Sequence, residues 1–500
     1  MTQKTLKLSI VALLIMASCT KEDVIEDAIV IDSAQKNPLT TVEIKSKINE
    51  ALNSKESFNW KESSDYLLWS AIVQGQNIAT IGFGISENDF DRSKSVNNKK
   101  IQNELIDIIL KYEGKSLEKV LISSDEYLNL IDVVIEKQET IIALRKNNYI
   151  RYLEPADYRL LNDSNSTEKS ESSSGCGYES EALSSADYTT VTPNAKVPWT
   201  FYQHNIPSAW NYSTGSGITI GIVDTGVSPN QTLLGSSFND GQSYGRTVQK
   251  YGTYVDSIWP WSTTTDGPND QCGHGTSMAS VAAAPRNDNG VPVGVAYNAN
   301  LVTYRAASNV VLEGYHEQNG VKNAFTALGN RSDVKIISMS MGHILSVGKI
   351  EDGIKYAYSK GKLIFCAGGT STSFTNFVGV IFPAWMAETV AVTGVMEGTA
   401  YQKCDVCHTG SKIDFTVVMQ RASSGNKVPV NSYYDNQTDY VGGSSVATAT
   451  SAGIAALVWS KHPTWTRDQV LTKMRQSANL YPNKNTEYGY GNINVLLAVQ

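Results

Sequence analysis

The chain has 500 residues, of which 41% are hydrophobic and 18% charged, and its formal net charge is −7. This length exceeds one ordinary domain, and the apolar content supports sizeable cores. The acidic balance argues against nucleic acid or an anionic membrane surface as a partner. The sequence therefore predicts an acidic globular protein with more than one domain and no nucleic-acid partner.

The N-terminus has the pattern of an export signal. Residues 1–18 contain two lysines followed by the apolar run 8–16, which is too short to span a bilayer as a permanent helix. Small residues directly before Cys19 resemble a bacterial lipobox. We expect residues 1–18 to be a signal peptide and Cys19 to carry the lipid. Ordinary secretory cleavage after Ala17 or Ser18 is the alternative.

The next region predicts a small α+β unit, which we place at 61–158 behind a tether at 19–60. Strands that alternate with two helices are typical of a split βαβ, ferredoxin-like sandwich. The predicted elements are two strands within 66–84, a helix ending at Gly114, a strand near 127–135, a helix near 138–146 and a strand at 150–155.

A serine-rich segment follows this unit. Residues 162–174 contain six serines and no apolar residue, so they cannot form a core. We therefore expect a protease-accessible linker at 159–190.

Three Gly-rich segments then contain Asp, His and Ser in that order. They are V-D-T-G at 223–226, G-H-G-T at 273–276 and G-G-S-S-V-A at 442–447. A serine hydroxyl is a poor nucleophile at neutral pH, so it needs a histidine base and a carboxylate that orients the imidazole. The sequence predicts these roles for Ser445, His274 and Asp224. Their chain order is that of the subtilisin arrangement.

The surroundings of the three residues fit this prediction. A β-branched run at 218–223 predicts a buried strand that places Asp224 at its carboxyl end. Small residues at 277–284 predict a packed helix just after His274. The apolar run after Ser445 predicts a buried helix, whose N-terminus would aim N–H groups at the serine oxygen and at an oxyanion.

Two further segments complete a family pattern: V-K-I-I-S-M-S-M-G at 334–342 and I-F-P-A-W-M-A-E-T-V-A-V-T-G-V at 381–395. Together the five motifs resemble the catalytic domain of a subtilisin-like serine protease, a subtilase, which we place at 191–500. The resemblance implies an α/β fold with a parallel sheet flanked by helices. It also implies a serine endopeptidase that needs no cofactor. Structural calcium is common in the family, but the sequence contains no legible ligand cluster, so we assign no metal residues.

The resemblance also implies a substrate site. An extended substrate would pair with the 340–342 segment as an added strand. Ile381 would lie at the base of the pocket for the residue that precedes the scissile bond, and its β-branched side chain would favour small or medium apolar residues. The implied substrate-binding residues are Ser340, Met341, Gly342, Gly368, Gly369 and Ile381.

The sequence departs from the family pattern at two positions. Thr370 stands where the family usually has an asparagine that donates to the oxyanion, and its hydroxyl is shorter than a carboxamide. Ala449 replaces a proline in the nucleophile helix. A further segment, G-T-S-M-A-S at 275–280, looks more like the family's nucleophile motif than the segment around Ser445 does. We still predict Ser445, because Ser277 lies only three residues after the histidine.

Five cysteines remain beyond the lipobox. Cys366 lies in an apolar strand and is the natural free thiol. Cys404 and Cys407 could form a local disulfide, a redox pair or half of a zinc site. We favour the disulfide because the chain has no second C-x-x-C. Cys176 and Cys272 would then be the remaining pair, which export permits.

The N-terminal unit resembles a subtilase propeptide in its pattern of elements, although an unrelated binding domain is the alternative. We therefore predict a self-processing zymogen that acts on polypeptides as a monomer, with its own propeptide as a partner. It would be made as an outer-membrane lipoprotein precursor facing the periplasm or the cell surface, and the catalytic domain would be released. The alternative function is a catalytically weak relative that binds peptides without cutting them.

Overall fold

The structure, a computed structural model, describes residues 37–55, 57–161, 176–370, 379–398 and 400–500. Within these ranges the chain builds two units, each with its own sheet and hydrophobic core. The predicted signal peptide, the lipidated cysteine and the serine-rich segment lie outside the described residues. In the described ranges, none of the helices is both long enough and apolar enough to cross a membrane.

The N-terminal unit is a four-stranded antiparallel sheet with strand order β2-β3-β1-β4. The order β1-α3-β2-β3-α5-β4 along the chain is the split βαβ arrangement that the sequence predicts. Its elements are α1 (Thr41–Lys55), α2 (Asp65–Gln74), β1 (Ile78–Phe83), α3 (Asn98–Glu113), α4 (Leu117–Val120), β2 (Leu121–Ser124), β3 (Leu130–Val134), α5 (Gln138–Arg145) and β4 (Ile150–Pro155).

The two faces of this sheet have different neighbours, because successive side chains of a strand point to opposite faces. Ala79, Ile81 and Phe83 belong to the core that the unit's helices share. Thr80 lies on the other face, where its hydroxyl donates to Asp132. That face is turned toward the C-terminal unit, from which Lys349 and Tyr315 donate to Asp132.

One predicted strand of this unit is wrong. Residues 66–74 belong to helix α2, which Ser64 caps by accepting a hydrogen bond from the Leu67 backbone N–H. The residues from Leu67 to Ile72 are all buried. A short segment that is buried on every side has no periodicity to separate a helix from a strand, and this misled the prediction.

The predicted boundaries of the unit also need correction. Helix α1 buries Ile44 and Ile48 in the same core, so the folded unit begins near residue 41 and the tether at 19–60 was drawn too long. Leu160 and Leu161 are buried in this core as well, so the linker at 159–190 begins too early.

The C-terminal unit contains a seven-stranded parallel sheet with strand order β13-β12-β11-β10-β7-β9-β8. Two small antiparallel ribbons, β5-β6 and β14-β15, lie outside it. The strands are β5 (Tyr188–Val191), β6 (Ala195–Pro198), β7 (Thr219–Asp224), β8 (Val248–Gly252), β9 (Asn300–Arg305), β10 (Val334–Met339), β11 (Leu363–Ala367), β12 (Val390–Met396), β13 (Ile413–Gln420), β14 (Val428–Asn431) and β15 (Thr438–Val441).

Helices cover both faces of the parallel sheet, as its apolar strands require. Met278 of α8 and Ile454 of α11 belong to one core, whereas Phe325 of α9 and Ile350 of α10 belong to the other. This architecture confirms the predicted fold class. The helices are α6 (Trp199–Gln203), α7 (Ile206–Ala209), α8 (His274–Ala283), α9 (Tyr315–Asn330), α10 (Gly348–Ser359), α11 (Gly443–Lys461), α12 (Arg467–Gln476) and α13 (Val495–Val499).

Candidate active site

The structure brings Asp224 and His274 together in the interior. Strand β7 ends at Asp224 and helix α8 begins at His274. The Nδ1 atom of His274 lies 2.7 Å from Oδ1 of Asp224, and the same oxygen accepts a 2.8 Å hydrogen bond from the backbone N–H of Thr225. Both side chains are buried. The carboxylate therefore holds Nδ1 and leaves Nε2 of the imidazole for a reacting group.

The electrostatics of this pair favour a basic imidazole. Burial lowers the pKa of His274, but the charge of Asp224 and the hydrogen bond to it outweigh burial, and Asp270 adds in the same direction. The net pKa of His274 is raised above its ordinary value. A raised pKa makes the imidazole a stronger proton acceptor.

Ser445 lies in the first turn of helix α11 and is half-buried. The helix begins at Gly443, whose φ of 83° is a left-handed conformation that favours glycine. The backbone carbonyl of Ser445 accepts a 3.1 Å hydrogen bond from the hydroxyl of Ser340. Helix α11 packs against α8, so the two helices that carry Ser445 and His274 are in contact.

Ser277, the competing serine, lies inside helix α8. It is buried, and its hydroxyl donates to the Gly273 carbonyl at 3.3 Å. This bond to its own helix occupies the hydroxyl proton. The local contacts therefore give Ser277 a structural role.

Thr370 lies beside the start of helix α11, three residues after the end of β11. Its Oγ1 is 3.1 Å from Oγ of Ser444 and accepts a 3.3 Å hydrogen bond from the Ser444 backbone N–H. The Gly369 backbone N–H donates to Oγ of Ser444 at 3.1 Å. Ser444 was missed by sequence reasoning, although a hydroxyl residue directly before the predicted nucleophile was visible. The Thr370 hydroxyl is thus in hydrogen-bond contact with both the side chain and the backbone N–H of Ser444.

The predicted substrate edge is already paired in this structure. The Gly342 backbone N–H donates to the Val310 carbonyl at 3.0 Å, and the Leu312 N–H donates to the Gly342 carbonyl at 3.1 Å. The side chain of Met341 is buried in the core beneath α9 and α10. The prediction that a substrate pairs with this edge therefore requires the 310–312 segment to move.

The predicted pocket residues do come together. The Ile381 backbone N–H donates to the Gly368 carbonyl at 3.0 Å. A Cβ atom on Gly342 would lie 2.6 Å from Cδ1 of Ile381, so the isoleucine packs directly on the substrate edge. A Cβ atom on Gly369 would lie 2.4 Å from the His408 ring. Gly342 and Gly369 therefore allow close packing that a side chain would prevent.

The profile of the Subtilase family matches residues 215–491, which is more than half of the chain. The chain belongs to the subtilase family. Subtilisin E of Bacillus subtilis (strain 168) is 29% identical over 306 residues, which cover 61% of this chain and 71% of that protein. Thermitase of Thermoactinomyces vulgaris is 25% identical over 294 residues, which cover 59% and 92%. Among solved structures, sphericase has a TM-score of 0.46 at 22% identity, covering 58% of this chain and 97% of its own.

Family membership and these relatives identify this subtilase as a serine endopeptidase. The matched region begins after the N-terminal unit and includes the motifs around Asp224, His274 and Ser445. In the described ranges, no group of three or more His, Cys, Asp or Glu side chains could hold a metal ion.

The cysteines of this subtilase pair as the sequence predicts. Cys176 is bonded to Cys272 and Cys404 to Cys407, while Cys366 is the free thiol of the described residues and is buried. The first disulfide lies two residues before the histidine. The second disulfide lies next to Thr370, because residues 370 and 407 form an isolated β-bridge. Both disulfides therefore brace loops of the candidate site.

Proposed function

We propose that this subtilase hydrolyses peptide bonds through a triad of Asp224, His274 and Ser445, and that it is made as an exported, self-processing zymogen. The observation that carries the triad is the buried 2.7 Å contact between Nδ1 of His274 and Oδ1 of Asp224. It fixes the imidazole in the tautomer that a serine nucleophile needs.

In the proposed reaction, the hydroxyl of Ser445 attacks the peptide carbonyl while Nε2 of His274 takes the proton. The carbon–nitrogen bond then breaks, and His274 returns the proton to the leaving amine. Water then attacks the acyl-enzyme while His274 takes its proton, and His274 returns that proton to the Ser445 oxygen as the ester bond breaks. Asp224 stays ionised throughout and stabilises the imidazolium.

The oxyanion would be held at the N-terminus of α11. Backbone N–H groups in the first turn of a helix have no partner within the helix, and the helix dipole favours negative charge there. The backbone N–H of Ser445 is one proposed donor and the hydroxyl of Thr370 is the other. Either oxygen could donate in the 3.1 Å contact between Thr370 and Ser444, and for Thr370 to serve the oxyanion Ser444 must be the donor there.

The N-terminal unit is proposed to be an inhibitory propeptide, because it covers the two helices beside the substrate edge. The Arg151 guanidinium bonds to the Asp352 carboxylate of α10 through two contacts of 2.8 and 2.5 Å, and both side chains are buried. The Lys349 ammonium donates to Asp132 at 2.9 Å, also buried. These charge pairs fix the unit in one orientation.

The contacts on either side of the serine-rich segment support processing within 156–175. The Leu161 backbone N–H donates to Oε1 of Glu313 at 2.5 Å, next to the segment paired with the substrate edge. Cys176 is bonded to Cys272, two residues before the histidine. The chain therefore leaves the propeptide and re-enters the enzyme at the candidate site.

Cleavage there would separate the lipid from the enzyme. If the lipid is on Cys19, the membrane keeps the propeptide, because the Cys176–Cys272 link lies wholly on the enzyme side. Fractionation tests this: the mature enzyme is expected in the soluble fraction, and a lipid-bound mature enzyme contradicts release.

The pocket is proposed to prefer small or medium apolar residues before the scissile bond, because Ile381 packs against Gly342. A peptide-library cleavage profile checks this preference. A profile dominated by Phe, Tyr, Lys or Arg at that position contradicts it.

A second candidate function is peptide binding without cleavage. The engaged Thr370 hydroxyl and the occupied edge at Gly342 favour it. Labelling of the folded, processed protein with a fluorophosphonate probe separates the two. The proposed enzyme forms a covalent adduct whose labelled peptide contains Ser445, whereas a binding protein forms none.

A further inference from the structure

A second buried carboxylate, Asp270, lies just before helix α8 and is 1% exposed. Its Oδ1 accepts hydrogen bonds from the backbone N–H groups of Cys272 at 2.8 Å and Gly273 at 2.9 Å, and from the Thr225 hydroxyl at 2.9 Å. Its Oδ2 accepts from the backbone N–H of Thr276 at 3.0 Å and from the Thr276 hydroxyl at 2.6 Å. One side chain thus holds five donors around the loop that carries the catalytic histidine.

The directions of these bonds favour an ionised carboxylate, against burial, which raises the pKa of Asp270. The Thr225 hydroxyl accepts a 2.9 Å bond from the Gly275 N–H, and the Thr276 hydroxyl accepts a 2.9 Å bond from the Ser228 N–H. Each hydroxyl therefore has its proton available for Asp270. Since all five partners donate, the site is built for a charged acceptor.

The same bonds join the two elements that supply the triad's acid and base. Thr225 follows the catalytic aspartate, and Ser228 lies in the same turn after β7. Gly275 lies in the first turn of α8, where an added Cβ would come within 2.3 Å of the Gly226 carbonyl oxygen. The turn and the helix are thus in close contact, and Asp270 binds them across that contact.

We propose that Asp270 is a positioning residue of the hydrolytic reaction: it locks the histidine loop onto the turn after β7, so that the imidazole of His274 stays aligned with Asp224. The proposal rests on the proposed triad. It assigns to Asp270 a role in the rate of the chemical step, in addition to any role in folding. A misplacement of about 1 Å at such a site can cost about a hundredfold in rate.

Asp270 also belongs to the electrostatic environment of the imidazole. Asp224 and Asp270 are the two carboxylates whose charges raise the pKa of His274, against the effect of burial. Removing the charge of Asp270 therefore lowers the pKa of the imidazole. Since the free enzyme needs a neutral imidazole, the acidic limb of the kcat/KM profile would move to lower pH.

The test is the substitution Asp270→Asn in the full chain, measured on processed enzyme whose competent sites are counted by fluorophosphonate titration to its end point. We expect kcat per titrated site to fall about tenfold to a hundredfold. The KM should stay within about twofold, because the substrate contacts are unchanged. The acidic limb should move to lower pH.

Two further variants separate position from charge. Thr225→Val removes the hydroxyl that donates to Asp270 and accepts from the Gly275 N–H, without changing charge. We expect kcat to fall while the acidic limb stays in place, and Thr225→Ser to restore kcat. Asp256→Asn is the matched control, an exposed acid in the same connection between β8 and α8. It should leave kcat, KM and the acidic limb unchanged.

The outcomes are distinguishable. If Asp270→Asn keeps the wild-type kcat and the acidic limb of its kcat/KM profile does not move, the positioning role of Asp270 is wrong. The proposed triad is unaffected by that result. If Asp270→Asn yields no folded protein, unchanged kcat in Thr225→Val overturns it. If the wild-type enzyme forms no covalent adduct with the fluorophosphonate probe, the proposed triad is wrong instead.

Discussion

The candidate active site and the interface between the two units both contain buried charge, but the first lies within one unit and the second joins two. Asp224 and His274 lie inside the enzyme, within a net of hydrogen bonds among buried groups. The interface relies on buried ion pairs, such as Arg151 with Asp352, which regain hydration when the two units separate. Buried ion pairs specify an orientation at little net gain in free energy. The Asp224–His274 pair therefore stays buried inside one unit, whereas the interface pairs would regain water if the proposed propeptide were released.

The largest expected effect at the interface comes from Asp352→Asn. Breaking a buried ion pair leaves Arg151 uncompensated and should weaken docking by about 3–5 kcal/mol. Co-elution of the cleaved propeptide with the enzyme measures the loss. The double change Arg151→Met with Asp352→Leu should recover part of it, because no charge is left buried.

The exposed pair of Lys61 and Glu87 supplies the control for that prediction. Both residues belong to the N-terminal unit, so Lys61→Met removes an exposed ion pair that does not cross the interface and should change docking by less than about 1 kcal/mol. Equal losses from Lys61→Met and Asp352→Asn would contradict the role given to buried charge.

At the catalytic centre, Thr370→Val should lower kcat by about 10²-fold with little change in KM, because it removes a proposed oxyanion donor and keeps the branched shape. Thr370→Ser retains the hydroxyl and should stay within about tenfold of the wild type. Steady-state kinetics on titrated enzyme measures both. An unchanged kcat in Thr370→Val would assign the oxyanion to backbone donors alone.

A separate prediction at the interface is a pH dependence of docking through Glu154. Burial raises the pKa of this interface carboxyl from 4.5 to about 8, although the Gly348 N–H donates to it. A raised pKa means that the docked state favours the protonated form. The contribution of Glu154 is therefore complete below pH 4.5 and is lost as the pH rises through 8.

Co-elution at pH 5 and at pH 8 tests this dependence. The cleaved propeptide should remain bound longer at the lower pH, and Glu154→Gln, which cannot titrate, should reduce the difference. The same pH dependence in both proteins would place the titrating group elsewhere.

The sequence predicted those parts of the molecule that depend on local pattern. Strand β4 lies at 150–155 as expected, Gly114 ends its helix in a left-handed conformation, and β7 delivers Asp224 at its carboxyl end. The residues that end a helix or form a strand lie within a few positions of it along the chain. A single sequence is therefore enough to predict these elements.

The remaining features depend on contacts between distant segments. The pairing of the 310–312 segment with Gly342 and the bond between Thr370 and Ser444 exist only once the sheet has formed. Asp270 stands four residues before the histidine, but its partners around β7 become visible only in the fold. The helix α1 is a different case, because Ile44 and Ile48 have helical spacing that was available in the sequence.

The central claim is that Ser445 is the nucleophile of a self-processing enzyme, and maturation tests it most directly. In a host that lacks other exported proteases, Ser445→Ala should accumulate as an uncut chain of near-full length, because the triad acts as a unit. Ser277→Ala should still mature, since the Ser277 hydroxyl donates to the Gly273 carbonyl at the start of α8. Normal maturation of Ser445→Ala together with failure of Ser277→Ala would contradict the account and identify Ser277 as the nucleophile.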